Sequence, residues 1–308
     1  MEYSFQKYLL SKRTVDDRAL NQGVYARLRQ VLPEERPVKV IEIGAGIGTM
    51  PARLIEWGLL DLVDYTAIDA SSENIAYARE WLPRWAQEHG LAVEAPGESL
   101  RMYDEQRDVQ LRLVACDVFD FIRSQPPPAS LLIAHAVLDL LPLPGSLPQL
   151  LSLVERGGLA WLTLNFDGAT LFEPEVDPVF DDRVTALYHR TMDERVAGGS
   201  RTGRHLFTHL RQAGAEILAA GASDWVVFPR PGRYLPGEAY FLHYIVHFFE
   251  SALGGHPALD QERFADWLAA RHAQIERGEL VYMAHQLDFL VRVKNYIENK
   301  NPLPAGRG

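Results

Sequence analysis

With 308 residues, 47% of them hydrophobic and 23% charged, the chain is long enough to bury a full core, as one enlarged domain or as a domain with a cap. A formal net charge of -10 opposes tight association with a phosphate backbone, and the single cysteine, Cys116, excludes an internal disulfide and a cysteine-built zinc site within one chain. No apolar run approaches the roughly 20 residues that span a bilayer, so the composition predicts a soluble protein of a reducing cytoplasm, without nucleic-acid or membrane partners.

In chain order, Tyr3, Phe5, Tyr8, Leu9 and Leu10 give an amphipathic stretch ahead of a helix expected over residues 16–32. Residues 38–54, VKVIEIGAGIGTMPARL, then combine a buried strand, a glycine turn and a helix start. Val38, Val40, Ile41 and Ile43 read as a strand buried on both faces, and the apolar spacing from Thr49 to Trp57 is helical. Glycines at 44, 46 and 48 permit positive φ and close ligand approach, while the following helix presents unpaired N–H groups and a positive dipole end.

Val63, Tyr65, Ala67 and Ile68 predict a second strand ending in Asp69 and followed by Ala70, with Ser71 or Ser72 capping a helix to about Gly90 that contains Pro83. Residues 91–108 are polar and turn-rich and read as a surface excursion. A third strand, QLRLVACD, ends at Asp117 and precedes Val118 and a short helix around residues 119–123; a fourth, SLLIAHAV, ends near His135. A helix near residues 147–155, a Gly157-Gly158 turn and the strand LAWLTLNF follow. Alternating strands and helices predict a parallel sheet, and ligands gather at the C-terminal ends of its strands, where Gly44, Asp69, Asp117 and His135 all fall. Farther on, the pattern predicts helices over residues 183–194 and 201–213, a bent strand or strand pair at 215–229, two helices within 237–277 and a long closing strand at 279–293.

Thr49 stands where a dinucleotide fingerprint G-x-G-x-x-G requires its last glycine. With Glu42 two residues before Gly44, the string instead resembles motif I, E-x-G-x-G-x-G, of class I S-adenosylmethionine-dependent methyltransferases of the small-molecule type. The resemblance covers residues 38–165 well and 201–294 more loosely. It implies a Rossmann-like, seven-stranded, mostly parallel sheet with helices on both faces, an antiparallel last strand, and S-adenosylmethionine as cofactor with S-adenosylhomocysteine as product. The implied organisation is an N-terminal helical lid (1–34), a cofactor-binding core (35–169), a cap insertion (170–200), the rest of the core (201–228 and 279–295) and a helical acceptor-side cap (229–278).

The resemblance also implies roles. Glu42, Gly44, Ala45, Gly46, Gly48, Asp69, Ala70, Asp117, Val118 and His135 would line the cofactor, with Asp69 on the ribose and Asp117 beside the adenine. Glu42 would meet the methionine amino group or orient the loop. His135 would stand near the transferred methyl as a candidate general base, and Tyr8, Arg13, Tyr240 and Tyr244 would serve lid and acceptor. Each has a plainer alternative: Asp69 and Asp117 as helix caps, His135 as a structural donor, the aromatic residues as core. His243 and His247, with Glu250, share a helical face; no third ligand position is set by the sequence, and no metal is assigned. The expected reaction is methyl transfer to oxygen or nitrogen of a small organic acceptor by a monomer or homodimer. Alternatives are an NAD-dependent oxidoreductase, a non-catalytic cofactor-binding regulatory subunit, and methylation of protein.

Overall fold

The computed structural model describes residues 3–294 apart from Glu98. A ten-stranded sheet runs through it: β1 (Val38–Ile43), β2 (Leu62–Asp69), β3 (Ala92–Glu94), β4 (Ser99–Tyr103), β5 (Asp108–Ala115), β6 (Ala129–His135), β7 (Val154–Glu173), β8 (Ala215–Ala222), β9 (Trp225–Val227) and β10 (Val281–Val293). The strand order is β3-β4-β5-β2-β1-β6-β7-β10-β8, with β9 also paired to β10. The run β5-β2-β1-β6-β7 is parallel, and β10 enters antiparallel between β7 and β8, as the expected last strand should. Strand order reverses on either side of β1, which makes the C-terminal edge of β1 and β6 the crevice of a doubly wound sheet.

Alternation along the strands sorts the core. Val38 and Val40 of β1 face one cluster with Met50, Leu54, Ile75, Ala78 and Leu82, while Ile41 and Ile43 face the other with Phe121, Leu150, Leu206 and Leu210. Helices α3 (Gln22–Val31), α4 (Thr49–Glu56) and α5 (Ser72–Glu88) therefore cover one face, and α6 (Val118–Arg123), α7 (Leu147–Leu151) and α9 (Thr202–Gln212) the other. A third cluster lies apart, where β7 and β10 overrun the sheet and carry α1 (Phe5–Ser11), α8 (Pro178–Asp193), α10 (Glu238–Leu253) and α11 (Gln261–Glu276).

Three expectations change. Residues 91–108 are not an excursion: β3 and β4 extend the sheet antiparallel from β5, because Leu100 and Met102 alternate with polar neighbours and bury one face, raising the strand count above seven. The helix expected over residues 16–32 is two, α2 (Arg13–Ala19) and α3, broken where the Asn21 side chain accepts from the Val24 N–H and caps the second. The strand LAWLTLNF is the middle of a far longer β7, which bulges at Leu164 (φ 54°), whose N–H donates to the buried Asp288 carboxylate at 2.8 Å.

Candidate active site

Three glycines of the loop after β1 adopt left-handed backbone: Gly44 at φ 63°, Gly46 at 56° and Gly48 at 76°. Gly48 stands at the N-cap of α4, and no side chain caps that helix. The Gly46 N–H donates to Asp69 Oδ2 at 2.7 Å, joining the loop to the end of β2. Asp69 Oδ1 in turn accepts from the Ser71 N–H at 2.9 Å and from Asn74 Nδ2 at 3.1 Å, while Ser71 itself caps α5. Asp69 is thus not the cap of α5; it is a carboxylate held between loop and helix. Ala45 is buried beside it and Ala70 is exposed.

Glu42 of β1 is 1% exposed and accepts from the Tyr65 hydroxyl at 2.8 Å. Burial pushes its carboxyl up to about 8, against the lowering influence of Tyr65 and the nearby Arg53. The group joins the end of β1 to β2, just ahead of the loop. Asp117, at the far strand end, is exposed and caps α6, accepting from Phe119 N–H at 2.8 Å and Asp120 N–H at 3.3 Å; Val118 beside it is half-buried. The capping alternative is realised for Asp117, and its capping geometry leaves the exposed carboxylate at the strand end.

His135 ends β6 with both ring nitrogens engaged. Nδ1 lies 2.8 Å from Thr163 Oγ1 of β7, and Nε2 lies 3.1 Å from Asp16 Oδ2 of α2. Burial lowers the imidazole to about 4, so the neutral ring donates from Nε2 to Asp16 and accepts the Thr163 hydroxyl at Nδ1. Asp16 also receives Lys12 Nζ at 3.2 Å and Trp225 Nε1 at 2.9 Å, with Arg53 at 4.0 Å. Those cations and donors overcome its burial and hold its carboxyl far below the usual range. The geometry gives His135 the work of fastening α2 to β6; neither nitrogen is open to an incoming proton. The next residue, Ala136, takes the left-handed φ of 52°, a strained choice for a side chain with a Cβ, and this turn sets Val137 against Gly44, where an added Cβ would lie 2.5 Å from Val137 Cγ2.

Helix α1 crosses the same mouth. Leu9 Cδ1 would lie 3.2 Å from a Cβ on Gly46, and Gln6 Nε2 donates at 3.1 Å to Asn74 Oδ1, the residue that holds Asp69. Tyr8 stacks on Tyr244 with centroids 4.5 Å apart, and the Tyr240 hydroxyl accepts from the Ser4 N–H at 2.8 Å, so α1 is tied to α10. Arg13 behaves differently. Its guanidinium binds Glu56 at the end of α4 at 2.5 Å and lies against Trp85, away from these rings. His243 Nδ1 pairs with His272 Nδ1 at 2.8 Å, and His247 stacks on Tyr3; among the described residues no group of three potential ligands is placed to hold a metal ion. Sequence reasoning missed Asp16 and Asp139, the one at the start of the chain and the other within the apolar run VLDLL, where a lone carboxylate was the available signal.

No family model and no curated protein matches the chain. Among solved structures, a SAM-dependent methyltransferase from Thiobacillus denitrificans in complex with S-adenosyl-L-homocysteine shares 13% identity at TM-score 0.46, over 96% of this chain and 100% of that one. A SAM-dependent methyltransferase from Geobacter sulfurreducens, also in complex with S-adenosyl-L-homocysteine, shares 13% at TM-score 0.42, over 94% and 99%. The cyclase SpnF shares 15% at TM-score 0.40, over 94% and 93%. At these scores the fold rests on the strand order and the function on the site's own geometry.

Proposed function

We propose that the protein binds S-adenosylmethionine at the glycine loop and transfers its methyl group to oxygen or nitrogen of a small organic acceptor, releasing S-adenosylhomocysteine. The observation that carries this reading is the junction of Gly46 and Asp69: a left-handed glycine loop at the sheet's switch point, bonded to a carboxylate at the next strand end. The residues fit the cofactor. Asp69 Oδ2, which accepts only from the Gly46 N–H, keeps room for a ribose hydroxyl, Asp117 and Val118 would stand at the adenine side, and glycines leave room over the backbone that Leu9 and Val137 now cover. Glu42 joins β1 to β2 through Tyr65 just ahead of the loop.

When bound, the cofactor supplies an activated methyl on a sulfonium. What remains for the chain's own residues is to align the acceptor, exclude water and receive a proton. Leu9 and Gln6 must lift for the cofactor to enter, so residues 1–34 act as a lid that returns over it, and residues 170–200 and 229–278 build the acceptor side, with Tyr240 and Tyr244 anchoring the lid. His135 positions α2, the second half of that lid. The acidic charge and single thiol support a reducing, cytoplasmic setting and a small-molecule partner for a monomer or homodimer.

Calorimetry tests the reading: S-adenosylhomocysteine binds in the micromolar range, roughly -7 to -8 kcal/mol, and NAD does not. The reverse preference selects the oxidoreductase. Binding without turnover across an acceptor panel selects the regulatory subunit.

A further inference from the structure

Asp139 lies in the turn Leu138–Leu140 that follows β6, two residues after the Val137 that covers Gly44. Its Oδ1 is buried with no hydrogen-bond partner among the described residues. A carboxylate only accepts, and burying one unpaired is costly unless a cation or donor arrives. The groups facing it are Lys12 at the start of α2, Arg195 beyond α8 and the Tyr188 phenol of α8. The residue's own backbone N–H and the charges of Lys12 and Arg195 favour the ionised form, but none of them bonds Oδ1: Lys12 is bound to Asp16 at 3.2 Å, Arg195 is exposed, and Oδ1 receives no hydrogen from Tyr188.

The Gly199 N–H donates to the Asp139 carbonyl at 3.3 Å, and a Cβ on Gly198 would collide with that carbonyl, so the glycine strap lies directly on the turn. Tyr188 stacks on Phe249 with centroids 3.9 Å apart. A buried carboxylate oxygen that lacks a donor suits an ammonium group, which brings both a positive charge and N–H donors. Neutral hydroxyls gain less there, and anions are repelled.

Building on the methyltransferase reading, we propose that Asp139 is the acceptor-binding residue and that the acceptor is a small amine with an apolar substituent against Tyr188, held as the ammonium on Oδ1 and passing one N–H proton to that carboxylate, so that the freed lone pair bonds the methyl carbon as the sulfonium S–C bond breaks and its electron pair stays on sulfur in S-adenosylhomocysteine. Burial pushes the carboxyl up to about 6, so it is ionised at neutral pH and loses its charge in mild acid.

The test uses the full chain and three probes of one shape: phenethylammonium, 2-phenylethanol and phenylacetate, with and without S-adenosylhomocysteine. Phenethylammonium should bind at least about tenfold more tightly than the other two, and Asp139→Asn should remove that preference while S-adenosylhomocysteine binding stays within about twofold. On the wild-type protein, phenethylammonium binding should fall about tenfold from about pH 8 to about pH 5, where the probe keeps its charge, and this arm holds whether or not the variant folds. Equal binding of the three probes, preference for phenylacetate, an unchanged preference in Asp139→Asn, or pH-independent binding would each overturn the proposal. Asp139-dependent ammonium binding in a protein that ignores S-adenosylhomocysteine upholds the amine site and overturns only the cofactor reading.

Discussion

Around the glycine loop each polar contact joins one named pair, Gly46 to Asp69, Asn74 to Asp69, Tyr65 to Glu42, and the backbone itself is bent by three left-handed glycines. In the cap the contacts are between rings: Phe172, Phe249, Phe264 and Trp267 pack edge and face with centroids 5.3 to 6.0 Å apart. The loop depends on single atoms and should lose function without losing stability. The cap depends on summed area and should do the opposite, because dispersion and burial spread over many contacts.

The hardest way to break that contrast is through the cap. Trp267 is 1% exposed, touches Phe172, Phe249 and Phe264, and donates its indole N–H to Asp181. Trp267→Ala should cost about 3 to 5 kcal/mol by urea denaturation. S-adenosylhomocysteine affinity in the remaining folded fraction should change little; a parallel loss of affinity would mean that cap and loop form one energetic unit.

Glu42 sharpens the loop side through pH. Its folded carboxyl is raised to about 8, so the stability it contributes is full in acid, below the ordinary glutamate range, and is lost as pH rises through 8. Glu42→Gln should remove on the order of 2 to 4 kcal/mol of that alkaline loss, read as the difference between variant and wild-type denaturation at each pH. Taking the difference separates Glu42 from Asp288, also raised to about 6, and from Asp16, which acts in the opposite sense and loses its contribution only in strong acid. Matching pH profiles for variant and wild type would place an ionised Glu42 beside Tyr65.

Asp69→Ala should weaken S-adenosylhomocysteine binding by about 1.5 to 3 kcal/mol, the range for hydrogen bonds to a charged group. Asp117→Ala should cost less binding, because its present work is capping the short helix α6. Wild-type affinity in both would return the two carboxylates to purely structural roles. The smallest effect belongs to the seam between the regions. Gln6→Ala removes one hydrogen bond to Asn74 and should destabilise α1 docking by about 0.5 to 1.5 kcal/mol. It should appear as faster amide exchange in residues 5–11, which S-adenosylhomocysteine slows again if the lid closes over it; exchange indifferent to ligand would leave α1 as packing alone.

The loop and the strand ends were legible because their determinants are local. Buried β1 residues, glycines at fixed spacing and an acidic residue at the next strand end lie within about 30 positions of one another, and the pattern could be read without knowing what packs on it. The hairpin β3–β4 was missed where charged and turn residues outnumbered the short S-L-R-M-Y alternation; two buried side chains, Leu100 and Met102, were enough once β5 offered an edge. His135 shows the other limit. Its position at the end of β6 was correct, yet its partner Asp16 lies 119 residues earlier, and no spacing rule connects them.

By itself, then, the chain's order of apolar periods and glycines determined a mostly parallel sheet with its ligand crevice at the C-terminal edge of β1, because helix and strand periodicities and backbone freedom are properties of neighbouring residues. Only the tertiary structure decided which polar groups meet there. It put α1 over Gly46, tied both nitrogens of His135, paired the buried Glu42 with Tyr65 and left one oxygen of Asp139 unpaired. Those outcomes depend on burial and on contacts between distant segments, which set hydrogen-bond partners and protonation states and are written in no local pattern.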